Sequence, residues 1–108
     1  MIKKPKDYQT QKKLLQFMGD TYIASKKRID LYEFSGARGN DPSYLNDIAY
    51  VHSIDRTLQD CSNDTKNIIR HDFLEKSETG WYRVFYNPSS YYRLKRRAVE
   101  EFMHCLNI

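Results

Sequence analysis

The segment Asn87–Leu106, NPSSYYRLKRRAVEEFMHCL, decides how the chain reads, because it carries a helix start, an apolar stripe and a cationic face together. Asn87 offers a side-chain oxygen to the first free backbone N–H groups. Pro88 stands at the first helical position, where its fixed φ helps and its missing donor costs nothing. Tyr91, Leu94, Ala98, Phe102 and Cys105 recur at steps of three and four, which puts them on one side of a 3.6-residue period. Ser89, Tyr92, Arg93 and Arg96 fall on the other side, with Lys95 and Arg97 flanking the two faces. The cations precede Glu100 and Glu101, the reverse of the order a helix macrodipole favours. A phosphate backbone arriving at that end meets N–H groups, hydroxyls and guanidinium groups together, as at a helix entering a DNA groove by its N-terminal residues. The competing reading is a C-terminal helix with a solvated basic face, since basic runs are a weak motif.

Upstream, Lys6 to Phe34 carries Leu15, Met18, Tyr22, Ile29 and Tyr32 in a 3-4 pattern, with Ser25 at the one missing place. This predicts a long amphipathic helix, too short in heptads to argue a coiled coil by itself and therefore read as packed on its own domain. Its length exceeds what a compact domain of this size covers, so a homodimer on the stripe is the alternative, and a bend near Gly19 would restore a monomer. The loop SGARGN (35–40) ends it. Asp41 before Pro42 opens a second helix to Cys61, with Leu45, Ile48, Val51, Ile54, Leu58 and Cys61 inward and Asp47, Asp55 and Asp60 read as its polar side. A third helix, Thr65 to Lys76, starts from Asn63 or Asp64 and turns Ile68, Ile69, Phe73 and Leu74 inward. The aromatic run Trp81, Tyr82, Phe85 and Tyr86 reads as a short helical turn, with a strand as the alternative.

Length and composition fit one domain of 108 residues, all-α with about four helices: 6–34, 41–61, and a C-terminal unit over 64–106. Nothing approaches a membrane span or a secretory signal, and two cysteines are too few for a disulfide framework, so a soluble, cytoplasmic protein is expected. Residues 1–30 carry eight Lys or Arg against three Asp, and residues 80–108 carry five against two Glu, whereas residues 41–79 carry four against eight carboxylates. Basic ends are the electrostatic footprint of nucleic-acid binding, although an acidic middle can also neutralise them within the fold. Cys61, Cys105, His52, His71 and His104 have no paired zinc spacing, and there is no phosphate-cradling glycine loop or nucleophile elbow. Neither a metal, nor a cofactor, nor an enzyme is expected.

The end of the chain, WYRVFYNPSSYYRLKRRAVEEFMHCL, resembles a small family of uncharacterised mollicute proteins and the C-terminal part of ArpU-type phage late-gene regulators. Both are similar to sigma-factor region 4. The residues that carry the resemblance are Ser89, Ser90, Tyr91, Tyr92, Arg93, Lys95, Ala98 and Phe102. It implies a helix-turn-helix-like unit whose recognition helix starts at Asn87, with Thr65 to Lys76 packed upstream.

Together these readings predict a DNA-binding transcriptional regulator whose nucleic-acid-binding residues are Ser89, Ser90, Tyr92, Arg93, Lys95, Arg96 and Arg97. Two alternatives stand beside it. One is a protein-interaction module docking on RNA polymerase or another partner. The other is an RNA-binding accessory protein that stacks bases on Tyr82, Tyr86 and Tyr92.

Overall fold

Local sequence sets where each helix begins in the computed structural model, which describes residues 7–36 and 41–106. Lys6 and residues 37–40 of the expected loop lie outside that range. Helix α1 (Tyr8–Ser35) starts at Asp7, whose Oδ2 accepts from the Thr10 backbone N–H at 2.8 Å and from the Thr10 hydroxyl at 2.7 Å. It ends at Gly36, which takes the left-handed φ of 76° that a side chain would disfavour. Helix α2 (Pro42–Gln59) starts where Asp41 accepts from the Ser43 N–H at 2.9 Å. A third helix, α3 (Asn63–Ile69), follows. Helix α4 (Pro88–Cys105) starts where Asn87 accepts from the Ser90 N–H at 2.9 Å. Both α2 and α4 have proline in the first turn.

The third helix departs from expectation. Its N-cap position is Ser62 rather than Asn63 or Asp64, with the Ser62 hydroxyl on the Thr65 hydroxyl at 3.2 Å, and it widens into a π-helical turn over Arg70–Leu74. The Glu75 N–H donates to the Arg70 carbonyl at 2.8 Å. The inward residues explain the widening. At 100° per residue Leu74 would lie about 240° round from Ile68, and a wider turn brings Ile68, Ile69, Phe73 and Leu74 back to one side. All four are buried. The Ser62 N–H donates to Glu101, so a distant side chain ties the start of α3 to α4. A 3₁₀ turn, Trp81–Val84, precedes α4, and there is no β-strand among the described residues. The fold is all-α.

Helix α2 runs back along α1, with Arg28 meeting Asp47 and Tyr22 meeting Asp55. Against this pair, α3 and α4 bury Ile68, Ile69, Phe73, Ala98, Val99, Phe102 and Met103. Helix α1 runs unbroken through Gly19, where it crosses the π turn so closely that a Cβ would stand 2.1 Å from the Phe73 carbonyl oxygen. Its expected stripe is covered by its own chain. Tyr22 is buried and donates to Asp55 at 2.8 Å, Ile29 packs on the core, and Tyr32 sits edge-on to Tyr44.

Two readings of α2 are corrected. Leu45 is 50% exposed. Asp47 is buried and holds the Arg28 guanidinium by two bonds of 2.8 Å, which keeps its carboxyl below the usual carboxylate range. Four residues before Val51, Asp47 lies on the buried face, where a charge has to be paired. No helix of the described residues is long and apolar enough to cross a membrane.

Candidate nucleic-acid interface

Helix α4 sorts the seven expected binding residues by angle. At 100° per residue Tyr91, Lys95, Ala98, Val99 and Phe102 share one side, while Ser89, Ser90, Arg93, Arg96 and Arg97 lie on the other and Tyr92 at its edge. Burial follows the same division: Ala98, Val99 and Phe102 are fully buried, and Ser89, Tyr92, Arg93, Arg96 and Arg97 are exposed. Ser90, half-buried, spends its N–H on the Asn87 cap, and the Ser89 hydroxyl donates to the same Asn87 oxygen at 3.0 Å.

Lys95 is the exception among the seven. Its ammonium lies 3.2 Å from Asp72 of the π turn, with its side chain 20% exposed, and it sits over the Phe73 ring at 5.5 Å and the Tyr91 ring at 5.7 Å. Desolvation, the carboxylate and two aromatic faces all commit this cation to the fold. Asp72 also accepts from Trp81 Nε1 at 2.7 Å and from the Tyr91 hydroxyl. One carboxylate therefore ties the π turn, the 3₁₀ turn and α4 together. Burial, then the bond to Asp72, pushes the Tyr91 phenol well above its ordinary range.

The aromatic run is packed by the same node. Tyr82 stacks flat on Tyr91 with ring centres 3.7 Å apart, and Trp81 stacks on His71 at 4.0 Å. Tyr82 is therefore buried and unable to stack a base. Tyr86 donates to Asp64 at 2.8 Å. Of the three tyrosines expected to stack bases, Tyr92 alone is exposed, at 63%. The neighbouring Tyr82 phenol pushes the Tyr92 phenol up from its ordinary value.

Around the exposed arginines the basic surface extends further than α4. The Arg96 guanidinium lies over the Tyr8 ring at 5.3 Å, and Lys12 lies over the same ring at 5.8 Å, so the first turn of α1 borders the middle of α4. Arg96, Tyr8 and Lys12 thus form a border of cations around an aromatic ring alongside Arg93 and Arg97. Among the described residues, Glu100 is the single carboxylate in ion-pair contact with the arginine face, at 3.2 Å from Arg96. Sequence reading missed Tyr8 because its nearness to α4 is tertiary.

Residues 75–87 connect the π turn to α4, a far longer link than the 3–4-residue turn of a helix-turn-helix. No family model, curated protein or solved structure matches the chain.

Proposed function

We propose that the protein binds duplex DNA through the exposed face of α4 and acts in the regulation of transcription. The observation that carries the binding is the grouping of Arg93, Arg96 and Arg97 on one exposed face, with Lys12 at its border. Guanidinium groups suit phosphate oxygens because their planar donors match them in pairs. Lys95 is left out of this set, since Asp72 already holds it. The regulatory role rests on the resemblance of Ser89 to Phe102 to sigma region 4 and ArpU-type regulators. A long connector before α4 favours backbone contact over deep reading of base edges.

The test is fluorescence anisotropy of labelled duplex DNA at several salt concentrations. Arg93→Ala with Arg97→Ala should weaken binding and flatten the log–log salt slope by about 2, since each phosphate contact contributes about −0.9. Unchanged affinity in the double variant, or a flat salt response of the parent, refutes the reading. A second reading, docking on RNA polymerase or another protein, is favoured by Val84 at 86% and Phe85 at 61% exposure beside α4. Capture of purified polymerase that is lost in Phe85→Ser but kept in the arginine variant would select it.

A further inference from the structure

Helix α1 buries one side and leaves a second apolar side open. Leu15, Gly19, Tyr22 and Ser25 face the core, whereas Phe17 is 67% exposed, Leu31 67% and Phe34 94%. These three are not scattered. Phe17, Ala24 and Leu31 follow one another at intervals of seven, and Asp20, Lys27 and Phe34 repeat the interval three residues later. The six make a heptad-spaced seam, with Phe17, Ala24 and Leu31 in one register and Asp20, Lys27 and Phe34 in the other. All but half-buried Ala24 are exposed.

The charges on the seam choose its partner. If two copies lay parallel, Asp20 would face Asp20 and Lys27 would face Lys27, which repels at both levels. If they lie antiparallel, the two registers interleave about a two-fold axis between Ser25 and Lys26. Phe17 then packs against the partner's Phe34, Ala24 receives the partner's Lys27, and Leu31 covers the stem of the partner's Asp20. The small side chain of Ala24 leaves room for the lysine stem, whose ammonium reaches Asp20 one turn back. Asp20 already pairs with Lys76 of its own chain and keeps 62% of its side chain exposed, so a second cation can approach.

We propose that this face of α1 is the docking surface for a second copy of the chain, joined as an antiparallel helix pair. The contact is isologous, so it closes at a dimer. The four phenylalanines would remove roughly 500 Å² of apolar surface from water. The leucines, lysine stems and flanking residues add toward the ~1,200 Å² of a stable interface. This surface is separate from the arginine face of α4 and does not rest on the proposed DNA binding.

Light scattering on the full chain over a range of concentrations tests the proposal. The mass should move from 12.9 kDa toward twice that value as concentration rises. Phe34→Glu, at a position open to solvent, should hold the mass at 12.9 kDa with an unchanged far-ultraviolet spectrum. Asp20→Lys and Lys27→Glu should each weaken self-association at least tenfold, and an equimolar mixture of the two should recover it, because each then meets its opposite charge across an antiparallel pair. A mass of 12.9 kDa throughout, a Phe34→Glu protein that dimerises like the parent, or a mixture no stronger than its components would each overturn it.

Discussion

Replacing Gly19 by alanine should destabilise the protein, although alanine is the better helix former. In a solvent-facing helix the exchange would gain about 1 kcal/mol. Here the new Cβ would stand 2.1 Å from the Phe73 carbonyl oxygen and 2.9 Å from its carbon, where ordinary contact begins near 3.4 Å. The obstacle is backbone, and Phe73 is 2% exposed, so it has no open space to retreat into. Moving α1 off the π turn by that distance loosens Leu15 and Tyr22 as well. Overpacking of this kind costs about 1–3 kcal/mol, and the severity of the overlap places it at the upper end. After subtracting the propensity gain, the net loss is about 2 kcal/mol. At about 4–8 °C per kcal/mol for a domain near this size, Tm should fall by roughly 8–16 °C. Thermal unfolding followed by far-ultraviolet circular dichroism measures it. A Tm that is unchanged or raised would refute the crossing, because only an unobstructed Gly19 could show the propensity gain.

Three further outcomes follow from the same packing. Asp72→Ala strands the Trp81, Tyr91 and Lys95 donors and should cost about 3–5 kcal/mol, whereas Lys95→Met leaves Asp72 two donors and should cost clearly less; denaturant midpoints compare them. Phe102→Ala should cost about 3–5 kcal/mol from a fully buried site, while Arg93→Ala stays within about 0.5 kcal/mol, so equal losses would contradict the two-faced helix. Burial and the bond to Asp55 push the Tyr22 phenol up to about 12, above about 10 for a free tyrosine. The neutral phenol is the stabilised form, so its contribution is full below pH 10 and lost as pH rises from 10 to 12. Tyr22→Phe should therefore flatten the fall in Tm over that window, and an unaltered slope would contradict it.

How much of this was legible in the sequence depended on whether the determinant was local. Asp41-Pro42 and Asn87-Pro88 mark helix starts with residues that bond their own turn, and the structure begins α2 and α4 there. The apolar periods of α1, α2 and α4 were legible for the same reason. Lys95 and Asp47 show where that kind of reading fails. Lys95 lies four residues after Tyr91 and three before Ala98, and Asp47 lies four before Val51, so periodicity alone puts both inward. Their charge argued the opposite. What holds each charge inward is a partner on another element, Asp72 for Lys95 and Arg28 for Asp47, which no spacing along one helix reveals. The π turn was hidden similarly, because it serves the packing of four side chains and has no local punctuation. The outer seam of α1 was overlooked because Phe17, Leu31 and Phe34 fall off the core stripe.

The exposed cations of α4 join the fold to its proposed use. Arg93 and Arg97 are the sixth and tenth residues of α4, beyond the first turn where the macrodipole acts, so the helix itself neither favours nor strongly opposes their charge. Asp72 compensates Lys95 from inside, and Glu100 compensates Arg96 from the next turn, an exposed pair worth at most about 0.5 kcal/mol. Arg93 and Arg97 are exposed and make no ion pair among the described residues. A glutamate at either position would disturb no buried contact, so the packing does not call for cations there. A polyanion laid along this face would supply the missing negative charge. The Asp72 node, by fixing Trp81, Tyr91 and Lys95 together, would then hold the arginines in one orientation as it arrived.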